Sequence, residues 1–385
     1  MKKSAIVALG VLALGVASAQ SNVIKIASVS PLSGPQSGLG ESIKLGAQLA
    51  IEEAVPRFKA LGFDLQFAPQ DDQATPDVGV AVARRIVNDP DLLGVVGHLN
   101  SGVAIPASEV YKDTNLVMVS PANTNPRVTD RGYLSVDRVC GRDDVQGPVG
   151  ADYAVKVLKK KNLFVINDKT AYGQGLAQAF ADKAKELGAN VVSFVGTEEA
   201  SNFQPLILQM RAQKPDLVYY GGIYDKAGVL LKQMRQAGIS ATFMGGDGLD
   251  GSDLVKIAGN AVIGTLFTTT SGPIDTLPKA AAFAKNYKAK FGKDSEAYGA
   301  YAYDSANVIL TAIEGLLKAN GGKKPTREEV AKAVRQVKLD GITGHIEFDN
   351  KGDRKLSDYY IIYMKTASYP GVVQRVIQFA PPQSK

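Results

Sequence analysis

The 385-residue sequence predicts an α/β fold of two doubly wound lobes with parallel-rich sheets joined by hinge crossings. Three observations carry that expectation. From Val23 onward, short β-rich runs alternate with longer helical patterns. The alternation restarts after a polar stretch, Cys140-Gly141-Arg142-Asp143-Asp144, and the last third abandons it for helices and then a β-like tail. Strand–helix alternation puts helices on both faces of a parallel sheet, and two such blocks argue for two lobes.

Ile24–Val29 reads as the first strand, closed by the turn Pro31-Leu32-Ser33-Gly34-Pro35. A helix follows, with Ile43, Ala47, Ala50, Ile51 and Ala54 on one face at helical spacing. Leu65–Ala68 is a strand and Val78–Val87 a helix. Gly94–Gly97 is a buried-type strand, followed by a helix through Val103, Ala107 and Val110 and a strand at Leu116–Val119. In the second block, strands are expected at Leu163–Ile166, Val191–Val195, Leu217–Tyr220 and Thr242–Met244. Helices fall between them at Gly175–Leu187, Phe203–Arg211 and Lys226–Gln236. The last third holds helices around Pro278–Phe291, Tyr298–Ala319 and Arg327–Val337, then a β-like run from His345 to Gln378. No low-complexity linker divides the blocks, so a second lobe inserted into the first fits better than beads on a string. The expected division is 20–142 with 272–356 for one lobe, and 143–271 with 357–385 for the other.

Residues 1–19 read as a secretory signal peptide. Lys2 and Lys3 precede an apolar stretch over 5–17, and Ala17-Ser18-Ala19 forms a small-residue cleavage site before Gln20. The apolar run is too short to span a bilayer comfortably. No cysteine stands near the cleavage site to take a lipid, so the expected product is soluble and periplasmic. Net charge is +6, or +4 without Lys2 and Lys3, and Lys159-Lys160-Lys161 is the one lysine triplet. Nothing there forms the clustered basic face that nucleic acid requires, and none is expected as a partner.

Composition narrows the chemistry. One cysteine excludes an intrachain disulfide and any cysteine-built zinc site, and two histidines leave little material for metal clusters or proton relays. No metal or cofactor is expected. Gly38-Leu39-Gly40 has Ile43 where a dinucleotide fingerprint has its third glycine, and no Gly-Lys-Ser/Thr phosphate loop occurs. Lone His98 reads as packed and hydrogen-bonded, and Cys140 as buried and inert.

Ligands of open parallel sheets bind beyond the carboxyl ends of the strands. Four such ends carry hydrogen-bonding residues. In Gly97-His98-Leu99-Asn100-Ser101-Gly102, Ser101 is either an ordinary helix cap or, with the free amides, a carboxylate holder. In Ser120-Pro121-Ala122-Asn123-Thr124-Asn125-Pro126 the two prolines stiffen the backbone. That makes the Ala122 carbonyl and the Thr124 hydroxyl fixed binding groups, unless the segment is a plain turn. In Asp168–Gly175, Tyr172 offers a hydroxyl and an aromatic wall, or packs on the lobe surface. In Gly245-Gly246-Asp247-Gly248, Asp247 either enters a cleft to meet a cation or sits in a surface turn.

Taken in order, these segments resemble the leucine/isoleucine/valine-binding proteins of bacterial ABC importers, which are type I periplasmic binding proteins. The matching stretches include Ser33-Gly34-Pro35, Asp71-Asp72, Gly97-His98-Leu99, Ser120-Pro121-Ala122, Gln146-Gly147-Pro148, Asp168-Lys169, Tyr172-Gly173, Val218-Tyr219-Tyr220-Gly221-Gly222 and Lys351-Gly352-Asp353. They cover nearly the whole chain after the signal peptide. The resemblance implies that the lobes close over one amino acid for delivery to ABC permease membrane subunits, by a protein that is monomeric and not an enzyme. It implies that the α-carboxylate meets Ser101, the backbone at Thr124, and Tyr172. The α-ammonium would meet the Ala122 carbonyl, the Thr124 hydroxyl and Asp247. The side-chain walls would be Leu39, Leu99, Asn100, Ile223 and Tyr298.

This chain departs from the best-known members. Asp247 stands for a glutamate, Leu39 and Ile223 stand for tyrosines, and Ala74 and Asn100 occupy the positions of a disulfide. The expected ligand is a branched-chain or similar apolar amino acid. A binder or sensor of amides, urea or small aromatic acids is the alternative on the same fold. An α/β enzyme is opposed by the missing nucleotide loops and the scarcity of His and Cys.

Overall fold

The computed structural model describes residues 21–382, so the signal peptide expected at 1–19 lies outside the described residues. The chain forms one five-stranded sheet, one seven-stranded sheet and a small hairpin.

The first block contributes β1 (Val23–Ser30), α1 (Ser37–Ala60), β2 (Asp64–Asp71), α2 (Pro76–Ile86), β3 (Leu92–Gly97), α3 (Ser101–Asp113), β4 (Val117–Ser120) and β5 (Val136–Arg138). Its strands run parallel in the order β2-β1-β3-β4-β5. The second block contributes α4 (Asp143–Asp152), β6 (Asn162–Asn167), α5 (Ala171–Glu186), β7 (Asn190–Gly196), α6 (Gln204–Gln213), β8 (Leu217–Gly221), α7 (Tyr224–Gln236), β9 (Thr242–Gly245), α8 (Ser252–Ala258) and β10 (Leu266–Thr269). The last third gives α9 (Ala281–Phe291), α10 (Gly299–Ala319), α11 (Arg327–Arg335), the hairpin β11 (Lys338–Gly341) and β12 (Gly344–Glu347), then β13 (Ser357–Tyr363) and β14 (Val372–Phe379).

Helices α10 and α11 return to pack on the first sheet, whereas β13 and β14 complete the second, in the order β14-β13-β10-β9-β8-β6-β7. β13 runs antiparallel to β10. The chain therefore crosses between the sheets after Arg138, after Thr269 and before Ser357.

Strand register aims the site loops. Val29 lies beside Gly97, and Val96 beside Val119, so the turns after β1, β3 and β4 leave one edge of the first sheet. In the second sheet Ile166 is beside Tyr220, and Tyr220 beside Gly245, so the turns after β6, β8 and β9 do likewise. These strands are apolar on both faces, as burial under helices on two sides requires: β3, β4 and β8 are buried at every residue. Glycine lets the layers approach: a Cβ on Gly46 of α1 would lie 2.0 Å from the Gly299 carbonyl oxygen at the start of α10.

Four elements go beyond the sequence expectation. β5 and β10 are short strands fixed by their neighbours in the sheet rather than by a long β-rich run. The polar stretch before residue 145 opens α4, whose Gly147 and Pro148 hide its periodicity, and α8 is only a short helix of about two turns. The expected tail divides into a hairpin and two strands.

Candidate functional site

The turn after β4 is held rigidly from beneath. Arg138, buried on β5, donates from Nη1 to the carbonyls of Asn123 (2.7 Å) and Asn125 (3.0 Å), and from Nε to Asp353 (2.6 Å). Arg142 donates to the other Asp353 oxygen at 2.7 Å. Burial alone would raise the Asp353 carboxyl, but Arg138, Arg142 and the Thr129 hydroxyl outweigh it and hold the group below its ordinary range. Asn123 adds a second brace: its Nδ2 donates to the Leu99 carbonyl at 2.8 Å, and its Oδ1 accepts from the His98 amide and the Ser120 hydroxyl. Ala122 and Thr124 are thereby presented by a turn with almost no freedom.

The opposing turns are locally capped. Asp168 Oδ1 accepts from the Thr170 amide and hydroxyl, and Thr170 caps α5 by accepting from the Gly173 amide at 3.0 Å. That turn points Tyr172 inward. Gly248 follows Asp247 because a Cβ there would lie 2.5 Å from the Gly222 carbonyl oxygen.

At the centre is Asp247, 1% exposed. Its Oδ1 accepts from Tyr172 Oη at 2.7 Å and from Gln146 Nε2 at 3.0 Å, and its Oδ2 accepts from Tyr298 Oη at 2.8 Å. Tyr172 Oη in turn accepts from the Gly248 amide at 2.8 Å. Burial raises the Asp247 carboxyl above its ordinary value, and the three donors oppose the rise. Tyr298 stands just before α10, which packs on the first sheet, so its bond to Asp247 joins the lobes across the cleft. Asn125 Nδ2 to the Ala171 carbonyl (2.7 Å) and Tyr224 Oη to the Pro35 carbonyl (3.0 Å) are further links of this closed arrangement.

Leu39, Leu99, Asn100, Ala122, Tyr172, Ile223, Asp247, Gly248 and Tyr298 line one small cavity. Eight of the ten expected site residues thus face a common space. The other two lie beside it. Ser101 is the first residue of α3, and its hydroxyl accepts from the Asn125 amide at 3.3 Å rather than capping the helix. Thr124 is fully buried, and its hydroxyl has no partner among the described residues. Asn100 gives its Nδ2 to Gln36 while its Oδ1 stays unpartnered. The cavity volume is about 20 Å³, room for about one water, so seating an amino acid requires the lobes to part.

Asp143 and Gln146, one helical turn apart on α4, are the residues that sequence reasoning missed. Asp143 is buried, with its amide donating to the Thr124 carbonyl at 2.9 Å. Gln146 links Asp247 to the Thr268 carbonyl. Gln146 stood in a matching motif without a role, and Asp143 stood in the polar stretch that marks the restart of the alternation, also without a role. Other expectations are met as packing: His98 is enclosed between Asp72 (2.8 Å) and Tyr111 (3.1 Å), and burial pushes the Cys140 thiol up to about 12. Among the described residues, no group of three or more His, Cys, Asp or Glu is placed to hold a metal ion.

A larger cavity, about 980 Å³, lies between α8, residues 272–284 and 293–297, and Tyr369-Pro370. Its lining is chiefly apolar, and its lysines are engaged elsewhere, Lys256 by Asp253 and Lys293 by Glu41. None of the converging strand-end groups reaches it.

A fold of two parallel-rich α/β lobes closed over a buried carboxylate defines a solute-binding protein. The chain belongs to the family described as periplasmic binding protein, whose model matches residues 23–368. It is 36% identical over 362 residues to an amino acid binding protein of Pseudomonas aeruginosa, covering 91% of this chain and 94% of that one. It is 36% identical over 331 residues to Leu/Ile/Val-binding protein homolog 1 of Brucella suis, covering 86% and 87%. The crystal structure of the leucine-binding protein LivK of Thermotoga maritima superposes with a TM-score of 0.84 at 30% identity, covering 92% of this chain and 98% of that one. No helix among the described residues is long and apolar enough to cross a membrane.

Proposed function

We propose that this protein captures a branched-chain or similar apolar amino acid as its zwitterion, in an extracytoplasmic compartment, and hands it to the membrane subunits of an ABC permease. The observation that carries the reading is Asp247, buried in a cleft with Leu39, Leu99 and Ile223 and sharing its cavity with Asn100 and Ala122, the neighbours of Ser101 and Thr124. The ammonium is met by Asp247, the Ala122 carbonyl and the Thr124 hydroxyl. The carboxylate is met by Ser101, the backbone at Thr124 and Tyr172. Leaving such groups unpartnered in a closed cleft costs about 1–3 kcal/mol each, which makes both charged ends of the ligand necessary. The apolar wall adds about 1.5–3 kcal/mol for a leucine-sized side chain. It discriminates a single methylene by only about 1–3 kcal/mol, so leucine, isoleucine and valine all bind.

The lobes, 20–142 with 272–356 and 143–271 with 357–385, hinge about the crossings, and closure gives the permease a shape that reports a loaded protein. The site's groups support binding: hydroxyls, a carbonyl and a carboxylate suffice to hold a zwitterion. The names of the relatives support the ligand class.

Mass spectrometry of small molecules released on denaturing freshly purified protein tests the reading, with calorimetry against leucine, isoleucine and valine. Recovery of an apolar amino acid is expected. An amide, urea or aromatic acid recovered instead overturns it.

A further inference from the structure

Asp143 is a buried carboxylate that the site described above does not use. It is the first residue of α4, 1% exposed, and its carboxyl oxygens make no well-formed hydrogen bond among the described residues, the Thr124 hydroxyl being its nearest donor. Its amide is bonded to the Thr124 carbonyl, which ties it to the turn expected to receive the ammonium. The Thr124 hydroxyl beside it is also buried and unpartnered, as is Gln146 Oε1 one turn along.

The charged and titratable groups facing Asp143 come from every side. Asp247 approaches from the end of β9, Asp144 is its neighbour on α4, and Arg138 stands on β5. The phenols of Tyr172 on α5 and Tyr219 on β8 also feel its charge. Arg138 is the one cation of this group, and its donors are already taken by Asp353, Asn123 and Asn125. The N-terminus of α4 favours a negative charge by at most about 2 kcal/mol. That is small beside the cost of an ionised carboxylate held dry, with only the Thr124 hydroxyl near enough to donate, next to a second carboxylate.

We propose that Asp143 holds a proton while the cleft is empty and yields it to solvent when the ligand's ammonium arrives, so that amino-acid capture releases a proton. The Thr124 hydroxyl can pair with Asp143 in either state, as donor to the carboxylate or acceptor from the acid, so it offsets only part of the desolvation and Asp247 repulsion that favour the proton. The incoming ammonium brings three donors and a positive charge between Asp247, the Ala122 carbonyl and Thr124. It takes over the Thr124 oxygen and makes the second carboxylate favourable in its ionised form. Burial and the Asp247 charge push the Asp143 carboxyl well above its ordinary value, consistent with a proton retained in the empty protein. The sign follows: affinity rises with pH, by up to about tenfold per unit, while the empty protein is protonated and the complex is not. It becomes flat once the empty protein has also lost the proton.

This inference rests on the amino-acid reading, and calorimetry separates the two. Leucine is titrated into the full mature protein at one pH in phosphate and in Tris, whose ionisation enthalpies differ widely, and then across pH 5–7.5 in one buffer. The expected result is a binding enthalpy that differs between buffers by the equivalent of up to about one proton released, with affinity rising with pH. In Asp143→Asn, binding weakens yet remains measurable, and both the buffer dependence and the pH slope disappear. Tight leucine binding with buffer-independent enthalpy in the unmodified protein overturns the proton linkage and leaves amino-acid capture standing. Proton release that persists in Asp143→Asn also overturns it. Failure of leucine, isoleucine and valine all to bind overturns the underlying reading instead.

Discussion

Replacing Asp247 with asparagine isolates the charge at the centre of the cleft from its shape. The amide has the volume of the carboxyl. Its oxygen still accepts from Tyr172 and Gln146, and its Nδ2 can donate to the Tyr298 hydroxyl, so all three observed contacts survive. Neutralising a buried carboxylate also removes its desolvation cost, so the empty protein should be no less stable. Binding is another matter. A hydrogen bond to a charged group is worth about 1.5–3 kcal/mol, and removing one partner of a buried ion pair costs about 3–5 kcal/mol. Asp143, the Ala122 carbonyl and Thr124 remain to receive the ammonium, so the lower part of that range applies. A loss of about 2–4 kcal/mol corresponds to a Kd raised about 30- to 700-fold. Calorimetry with leucine gives the affinity, and a thermal melt without ligand checks the fold. A Kd within threefold of the unmodified protein, at an unchanged midpoint, would refute the assignment of Asp247 to the ammonium.

Three further outcomes are expected. Ile223→Ala removes part of the apolar wall and should weaken leucine binding by about 1–3 kcal/mol in calorimetry, with alanine binding less affected. Gly46→Ala drives a methyl against the Gly299 carbonyl oxygen, a backbone atom that cannot step aside, so α1 and α10 must separate. Urea unfolding should then show a loss of about 1–3 kcal/mol. Burial raises the Asp250 carboxyl from 3.8 to about 7, although it accepts from Thr269 and Tyr369. A raised carboxyl favours the folded state most below the unfolded value, and that contribution is lost as pH rises from about 4 through 7. Melting midpoints over pH 4–8 should fall less steeply in Asp250→Asn, with Asp137, also raised to about 7, supplying part of the remaining slope.

The strand–helix rhythm was legible because its signals are local: apolar runs for strands buried on both faces, and helical spacing for the helices over them. Residues at strand ends were legible for the same reason, since a parallel sheet sends its carboxyl-end turns to one edge. Ser101, Ala122, Thr124, Tyr172 and Asp247 could each be picked out singly that way. Whether any of them did more than make a turn could not be read locally. Short strands such as Val136–Arg138 were not legible either, because a neighbouring strand, rather than their own residues, supplies their hydrogen bonds.

Asp143 shows most clearly where the boundary lies. Among Arg142, Asp143 and Asp144 the sequence has three charged residues in a polar run, the ordinary signature of a solvated surface. In the folded chain Arg142 turns to Asp353 and Asp130, Asp144 pairs with Arg142, and Asp143 goes inward with no ion-pair partner among the described residues. Charge at a position is a local property, whereas desolvation depends on every segment packed around it. The sequence alone determined a two-lobed α/β chain poor in histidine and cysteine, with binding groups at its strand ends. Only the tertiary structure decided that two of its carboxylates, Asp143 and Asp247, are buried within each other's field, because packing removes the water that would otherwise keep them independent.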